Sequence, residues 1–262
     1  MKTQTLAQGR ALIEWREDGI ARFTVCRPEV HNALDLDTID ALDHFLTALE
    51  RKPEITFVIL AGAGDEAFIA GGDLRQLAQM RGAEAGAAFS RRVGELLLRL
   101  EGLGAITAAA IGGDAYGGGC ELALACDLRL IEEGSSLIFS QARFGLTSGW
   151  GGMLRLTRLV GYSRALELFL RQRRVGAQEA LALGLANEVV PRGQAVEAAL
   201  ALGAEVNALG AEVAQGLKRV AQFAAMSDPE DALAEERKVF SGLWASSRRE
   251  ALMRAFLNKE QG

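Results

Sequence analysis

Gly112-Gly113-Asp114-Ala115-Tyr116-Gly117-Gly118-Gly119-Cys120-Glu121-Leu122-Ala123-Leu124-Ala125-Cys126 is the stretch on which the reading of this chain turns. An apolar run over 107–111 precedes it and a second strand-like run, 127–131, follows. The spacing predicts a glycine turn leading into a short helix over 120–125. Three successive glycines open backbone angles closed to other residues and leave no side chain in the way. The first N–H groups of a helix lack an internal partner, and the helix dipole adds partial positive charge there. Such a turn either is a tight strand-to-helix connection with a solvated Glu121, or receives an oxygen that becomes anionic during a reaction.

Composition narrows the choices. The chain has 262 residues, 49% hydrophobic and 24% charged, an ordinary globular balance that allows one large core plus an appendage. A net charge of -5 argues against a basic nucleic-acid footprint. Three cysteines, Cys26, Cys120 and Cys126, cannot all pair within one chain and lack metal-ligand spacing, so no metal is expected and the thiols suggest a reducing, cytoplasmic setting. With only His31 and His44, a histidine-based metal site or triad is disfavoured. The start, 1–10, is polar and lacks an apolar signal core, and the uncharged run 102–113 is too short to span a bilayer.

Outward from the glycine stretch, 12–16 and 20–25 flank Glu17-Asp18-Gly19 as a hairpin. Residues 36–50 have helical apolar spacing with Asp35 as a plausible N-cap, and 55–61 reads as a buried strand. Gly62-Ala63-Gly64-Asp65-Glu66-Ala67 is a near match to a dinucleotide fingerprint, but the apolar chain that follows it places the next helix only near Leu74, so a nicotinamide cofactor is not expected. Residues 83–100 read as a helix, 136–139 as a strand and 153–159 as a helix start. Strands alternating with helices argue for stacked βα units, an α/β fold. Beyond 160 the chain is mostly helical, which divides it into a core over 1–190 and a helical C-terminal region over 191–262.

With these turns located, the chain resembles the enoyl-CoA hydratase/isomerase, or crotonase, superfamily over nearly its whole length. The resemblance is carried by Arg27-Pro28-Glu29-Val30-His31-Asn32-Ala33-Leu34, Ala67-Phe68-Ile69-Ala70-Gly71-Gly72-Asp73-Leu74 and the run 117–127. It is also carried by Gly149-Trp150-Gly151-Gly152 with Arg155-Leu156, and by Ala180-Leu181-Ala182-Leu183-Gly184-Leu185-Ala186 with Val189-Val190. It implies a ββα spiral core and a C-terminal helical trimerisation region, assembled as a homotrimer or a dimer of trimers. It implies acyl-CoA thioester substrates, with coenzyme A carried by the substrate and no separate cofactor, and neither nucleic acid nor membrane as a partner. Two backbone N–H groups, matching Gly72 and Gly118, would form an oxyanion hole around the thioester carbonyl. The coenzyme groove would lie along Arg27, Val30, Ala33, Ala70, Asp73, Leu74 and Arg75, with Phe256 and Lys259 as further contacts.

A hydratase of this family uses two glutamates, because one group activates water while another delivers a proton. Glu121 matches the first. Counting back from Gly145, Gln141 stands in the place of the second, and an amide is neither acid nor base near neutral pH. A gap would bring Ala142 or Arg143 there instead, and no carboxylate occurs between Gly134 and Gly152. The expectation is therefore a decarboxylase-type lyase or an isomerase, with Glu121 as acid or base. The C-terminal pattern and Ser148-Gly149-Trp150-Gly151-Gly152 also resemble ethylmalonyl-CoA decarboxylase-like members. Hydration of an enoyl-CoA, and a non-catalytic acyl-CoA-binding scaffold, are the alternatives. Trp150 reads either as a loop-packing aromatic or as a wall of the acyl pocket.

Overall fold

The computed structural model describes residues 1–259. Its frame is a pair of sheets built by repetition. Strand β4 (Phe57–Gly62) lies in a seven-stranded sheet, and β5 (Ala67–Ile69) in a four-stranded one. The next pair, β6 (Ile106–Ile111) and β7 (Asp114–Tyr116), divides the same way, as do β8 (Leu128–Glu132) and β9 (Ser136–Ile138). Each pair is followed by helix: α2 (Leu74–Leu77) and α3 (Gly82–Glu101), then α4 (Gly118–Ala125), then α5 (Gly152–Val160) and α6 (Tyr162–Leu170). Strands β4, β6 and β8 run parallel to one another, as do β5, β7 and β9. This is the ββα spiral expected from the sequence.

The large sheet opens with β1 (Lys2–Leu6), β2 (Ala11–Trp15) and β3 (Ile20–Val25), paired antiparallel, and ends with β11 (Glu188–Val190), parallel to β8. Four strands escaped the sequence reading, among them β5, which was read only as apolar chain ahead of the next helix. Strand β1 is mostly exposed and polar, so it carries no apolar pattern. Strand β7 hides between glycines, where the reading placed only a turn. Strand β10 (Arg174–Gly176) pairs with β9 and reads as a helix-to-helix link.

The central strands read as continuous apolar runs because both faces are covered. Val58 and Leu60 point into the main core, with Phe45 and Leu46 of helix α1 (Leu36–Leu49). Phe57, Ile59 and Ala61 point the other way, against helix α8 (Ala195–Leu209). Gly203 lets α8 come close: a Cβ there would stand 2.8 Å from Ile20 and 2.9 Å from Phe57. Thus the first helix beyond residue 190 packs on the sheet itself, where Ala195 and Ala199 are buried. Helices α9 (Ala211–Met226), α10 (Pro229–Trp244) and α11 (Ser247–Lys259) follow, and α10 and α11 expose Phe240, Trp244, Leu252, Met253 and Phe256. Among the described residues, no helix is long and apolar enough to cross a membrane.

Asp35 caps α1, accepting from the N–H of Thr38 at 2.8 Å, as its position before the apolar repeat predicts. The fingerprint-like loop at 62–67 leads into β5 rather than a helix, so it has no helix N-terminus to offer a phosphate. Helix α4 begins at Gly118, two residues before the predicted start, which places that glycine in its first turn. Gly119 seats α4 on β5, because a Cβ there would lie 2.7 Å from the Ile69 carbonyl carbon and still closer to its oxygen. Gly119→Ala is expected to lower stability by about 1–3 kcal/mol, an overpacking cost against fixed backbone, read as a lower denaturant midpoint.

Candidate active site

The site forms where β5 and β7 hand over to their helices. Gly71 follows β5 with φ +87°, a conformation that favours glycine. Its carbonyl accepts from the N–H of Leu34 at 2.7 Å, and the Leu34 carbonyl accepts from the N–H of Asp73 at 2.8 Å. This bridge holds the backbone on both sides of Gly72 and leaves the Gly72 amide facing away from Leu34. A Cβ on Gly71 would come within 2.9 Å of the Gly118 nitrogen, so the two glycine turns touch. Both Gly72 and Gly118 are partly exposed. Among the described residues, neither amide has an acceptor, which is the arrangement of donors that receives a developing oxyanion.

Glu121 projects from the first turn of α4 and is 2% exposed. Its environment differs from a solvated glutamate. Oε1 accepts from Gln141 Nε2 at 3.0 Å and from the N–H of Gly149 at 3.3 Å. Oε2 accepts from the N–H groups of Trp150 and Gly152, each at 2.8 Å. Two oxygens carry about four lone-pair positions, so these donors engage the whole acceptor capacity. Gly152 is required here, since a Cβ on it would stand 2.5 Å from Glu121 Cγ. The carboxylate therefore ties α4 to the 149–152 loop as well as facing the site.

Gln141 opens a 3-10 turn, Gln141–Phe144, and is buried beside Glu121, whereas Ala142 and Arg143 are exposed. Gln141 Oε1 is buried without a hydrogen-bond partner, an acceptor left over within the site. The sequence reading brought Gln141 and Glu121 to one place but missed the loop amides. Backbone N–H groups carry no residue signature; only the glycines at 149, 151 and 152 hint at them.

Trp150 is buried and its ring lies on Gly118: a Cβ on that glycine would stand 2.8 Å from Trp150 Cε3. The ring meets Phe89 edge-on with centroids 5.9 Å apart, and Phe89 in turn reaches Gly72, at 3.5 Å from a Cβ built there. Leu77 covers Gly72 from α2. Cys120 and Cys126 are buried, and burial pushes both thiols up, Cys126 to about 12, which fits packing rather than nucleophilic roles.

The expected groove residues fall into distinct environments. Arg27 is buried and donates to the Ala33 carbonyl at 2.6 Å and to Asp73 at 2.8 Å. The pair fastens the 27–33 turn to the Gly72 loop. Val30 ends a 3-10 turn, Ala33 is buried and Ala70 is half-buried just before Gly71. Leu74 and Arg75 are exposed at the start of α2. Phe256 is exposed on α11, and the side chain of Lys259 lies outside the described residues. A cavity of about 570 Å³ lies elsewhere, between the end of α4 and helices α8 and α9, and contains neither Gly72 nor Gly118.

Two consequences can be measured. Burial acts to raise the Asp73 carboxyl, but the Arg27 hydrogen bond and the N–H of Arg75 outweigh it and hold it below the usual range. Its contribution to stability is thus full above about pH 4, the ordinary carboxylate value, and is lost as pH falls through the lower folded value. Asp73→Asn is expected to lose that contribution at neutral pH and to flatten the acid limb of a stability-pH curve. Glu121→Gln places an NH2 against N–H donors, so it is expected to cost about 1–3 kcal/mol and to speed amide hydrogen exchange at Trp150 and Gly152.

Comparison with known proteins identifies the family. The family model for enoyl-CoA hydratase/isomerase matches residues 15–262. The chain is 34% identical over 247 residues to a short-chain-enoyl-CoA hydratase of Clostridium acetobutylicum, covering 94% of each chain. It is 32% identical to an ethylmalonyl-CoA decarboxylase of Xenopus laevis, covering 87% of this chain and 77% of that protein. The crystal structure of an enoyl-CoA hydratase from Bacillus anthracis superposes with a TM-score of 0.90 at 30% identity, over 95% of this chain and 96% of that one. On these matches and on the ββα spiral that carries them, the chain belongs to the enoyl-CoA hydratase/isomerase family.

Proposed function

We propose that this protein binds acyl-CoA thioesters and stabilises their enolates between the amides of Gly72 and Gly118, and that the geometry suits decarboxylation of a malonyl-type ester best. The observation that carries the reading is the engagement of Glu121 by four N–H donors, with Gln141 as one of them. Loss of carbon dioxide needs no base. The carbon–carbon bond to the carboxylate breaks, its electron pair enters the enolate, and negative charge develops on the oxygen held by the two amides. Water then protonates the alpha carbon, and the hydroxide left behind passes to solvent and combines with the released carbon dioxide as bicarbonate. Gln141 Oε1, buried and free, gives such a water an acceptor.

Hydration of a short enoyl-CoA is the second reading, and the relatives favour it at least as strongly, since the 34% match is named a hydratase. It requires Glu121 to exchange one donor for water. The contact to the Gly149 N–H, the longest at 3.3 Å, is the one to yield. An isomerase would use the same opening to shuttle a proton on Glu121. In each case coenzyme A arrives with the substrate, and we assign its groove to Val30, Ala33, Ala70, Leu74 and Arg75. The exposed apolar side chains of α10 and α11 support assembly into trimers.

Incubation with crotonyl-CoA, a 3-enoyl-CoA, methylmalonyl-CoA and ethylmalonyl-CoA, with products read by mass, tests these readings together. The expected outcome is loss of carbon dioxide from a malonyl ester with crotonyl-CoA left unchanged. Rapid addition of water to crotonyl-CoA overturns the decarboxylase reading and establishes hydration.

A further inference from the structure

A thioester whose carbonyl oxygen rests between Gly72 and Gly118 extends in two directions. Toward Leu74 and Arg75 the surface is open, 54% exposed at Leu74, which gives the bulky coenzyme end room. The acyl end must take the buried side, and on that side stand Phe89 and Trp150. Trp150 is only 6% exposed, and its six-membered ring is what a Cβ on Gly118 would meet first.

This ring is fixed through its backbone. The Trp150 N–H donates to Glu121 at 2.8 Å, and its carbonyl accepts from Arg155 Nη1 at 2.7 Å. Arg155 is itself buried and paired with Glu101 at 2.6 Å. The neighbouring Gly149 carbonyl accepts from the Ser90 hydroxyl on α3, next to Phe89, and the Gly152 N–H returns to Glu121 at 2.8 Å. A swing of the indole away from Gly118 has to break several of these bonds or its edge contact with Phe89.

We propose that Trp150 is the specificity-determining residue of this site: its indole, held over Gly118 by the Glu121-anchored loop, ends the acyl pocket and confines the enzyme to short acyl chains. The inference rests on the acyl-CoA reading but not on which reaction follows. It also gives Glu121 a role as a positioning residue, separate from any transfer of a proton.

The test is calorimetric binding of saturated acyl-CoA esters, butyryl- to decanoyl-CoA, which carry neither a double bond to hydrate nor a carboxylate to lose. The full chain, Trp150→Ala and Trp150→Phe are compared. The wild-type protein is expected to bind butyryl-CoA more tightly than decanoyl-CoA. In Trp150→Ala decanoyl-CoA should tighten by about tenfold or more, as the added methylenes become buried, with Trp150→Phe intermediate. Should Trp150→Ala fail to fold, Trp150→Phe and Trp150→Leu carry the comparison. Equal wild-type affinity across chain lengths, or an unchanged ratio in the variants that fold, overturns the proposal. Absence of any wild-type binding overturns the acyl-CoA reading and this inference with it, a result distinct from the first two. Glu121→Gln should narrow the chain-length ratio as well, a change that loss of proton transfer alone does not produce; an unchanged ratio removes the anchoring role from the proposal.

Discussion

The carboxylate of Glu121 accepts hydrogen bonds from one side chain and three loop amides, and the candidate site depends on that convergence. A buried carboxylate is tolerated only when its hydrogen-bonding capacity is met. Here the partners arrive from residues 141, 149, 150 and 152, all on one excursion after β9. One residue of α4 thereby fixes the position of the 3-10 turn, the loop and the N-terminus of α5. The same helix supplies the Gly118 amide from its opening residue. The unpaired Gly118 amide and the loop anchor are therefore three residues apart on one rigid element, so a displacement of either is felt by the other.

Glycine makes the surrounding approach distances attainable. Gly71, Gly118, Gly119 and Gly152 each lie where a Cβ would meet the Gly118 nitrogen, the Trp150 ring, the Ile69 backbone or Glu121. These are four different neighbours, and together they bring two strand ends, a helix and a loop into close contact. Arg27 and Asp73 do comparable work with charge, fastening the 27–33 turn to the Gly71–Gly72 turn. A site built this way presents its donors already oriented, which is what makes backbone amides effective at a charge that develops only during reaction.

Much of this was legible from the chain. The paired apolar runs and glycine turns gave the βα alternation, and the Asp35 cap and the 36–50 periodicity located α1 almost to the residue. Strands β5, β7 and β10 were not legible: β5 runs straight into a glycine turn, β7 lies between glycines and β10 between two helices, and three residues are too few for a period of two to register, whereas β9, just as short, stands out as the run 136–139. Strand β1 was missed for a different reason: it sits at an exposed sheet edge and needs no apolar face. At the site, Gly72, Gly118, Glu121 and Gln141 were all singled out, yet a glutamate awaiting a substrate and a glutamate saturated by amides look identical in sequence.

The sequence alone determined which chemical groups exist: two glycine turns able to expose amides, one carboxylate beside them, an amide in place of a second carboxylate, and a tryptophan among glycines. Residue identity and short-range spacing give the turns, the carboxylate and the tryptophan, and the place of Gln141 follows from the family resemblance. Tertiary structure alone decided how they are used. It brought residue 121 against 149–152, turned Arg27 and Asp73 toward each other, and laid the indole of Trp150 on Gly118. The reason is physical: these relations are contacts between segments up to 46 residues apart, made partly through backbone N–H groups that every residue but proline possesses, so no pattern of side chains records them.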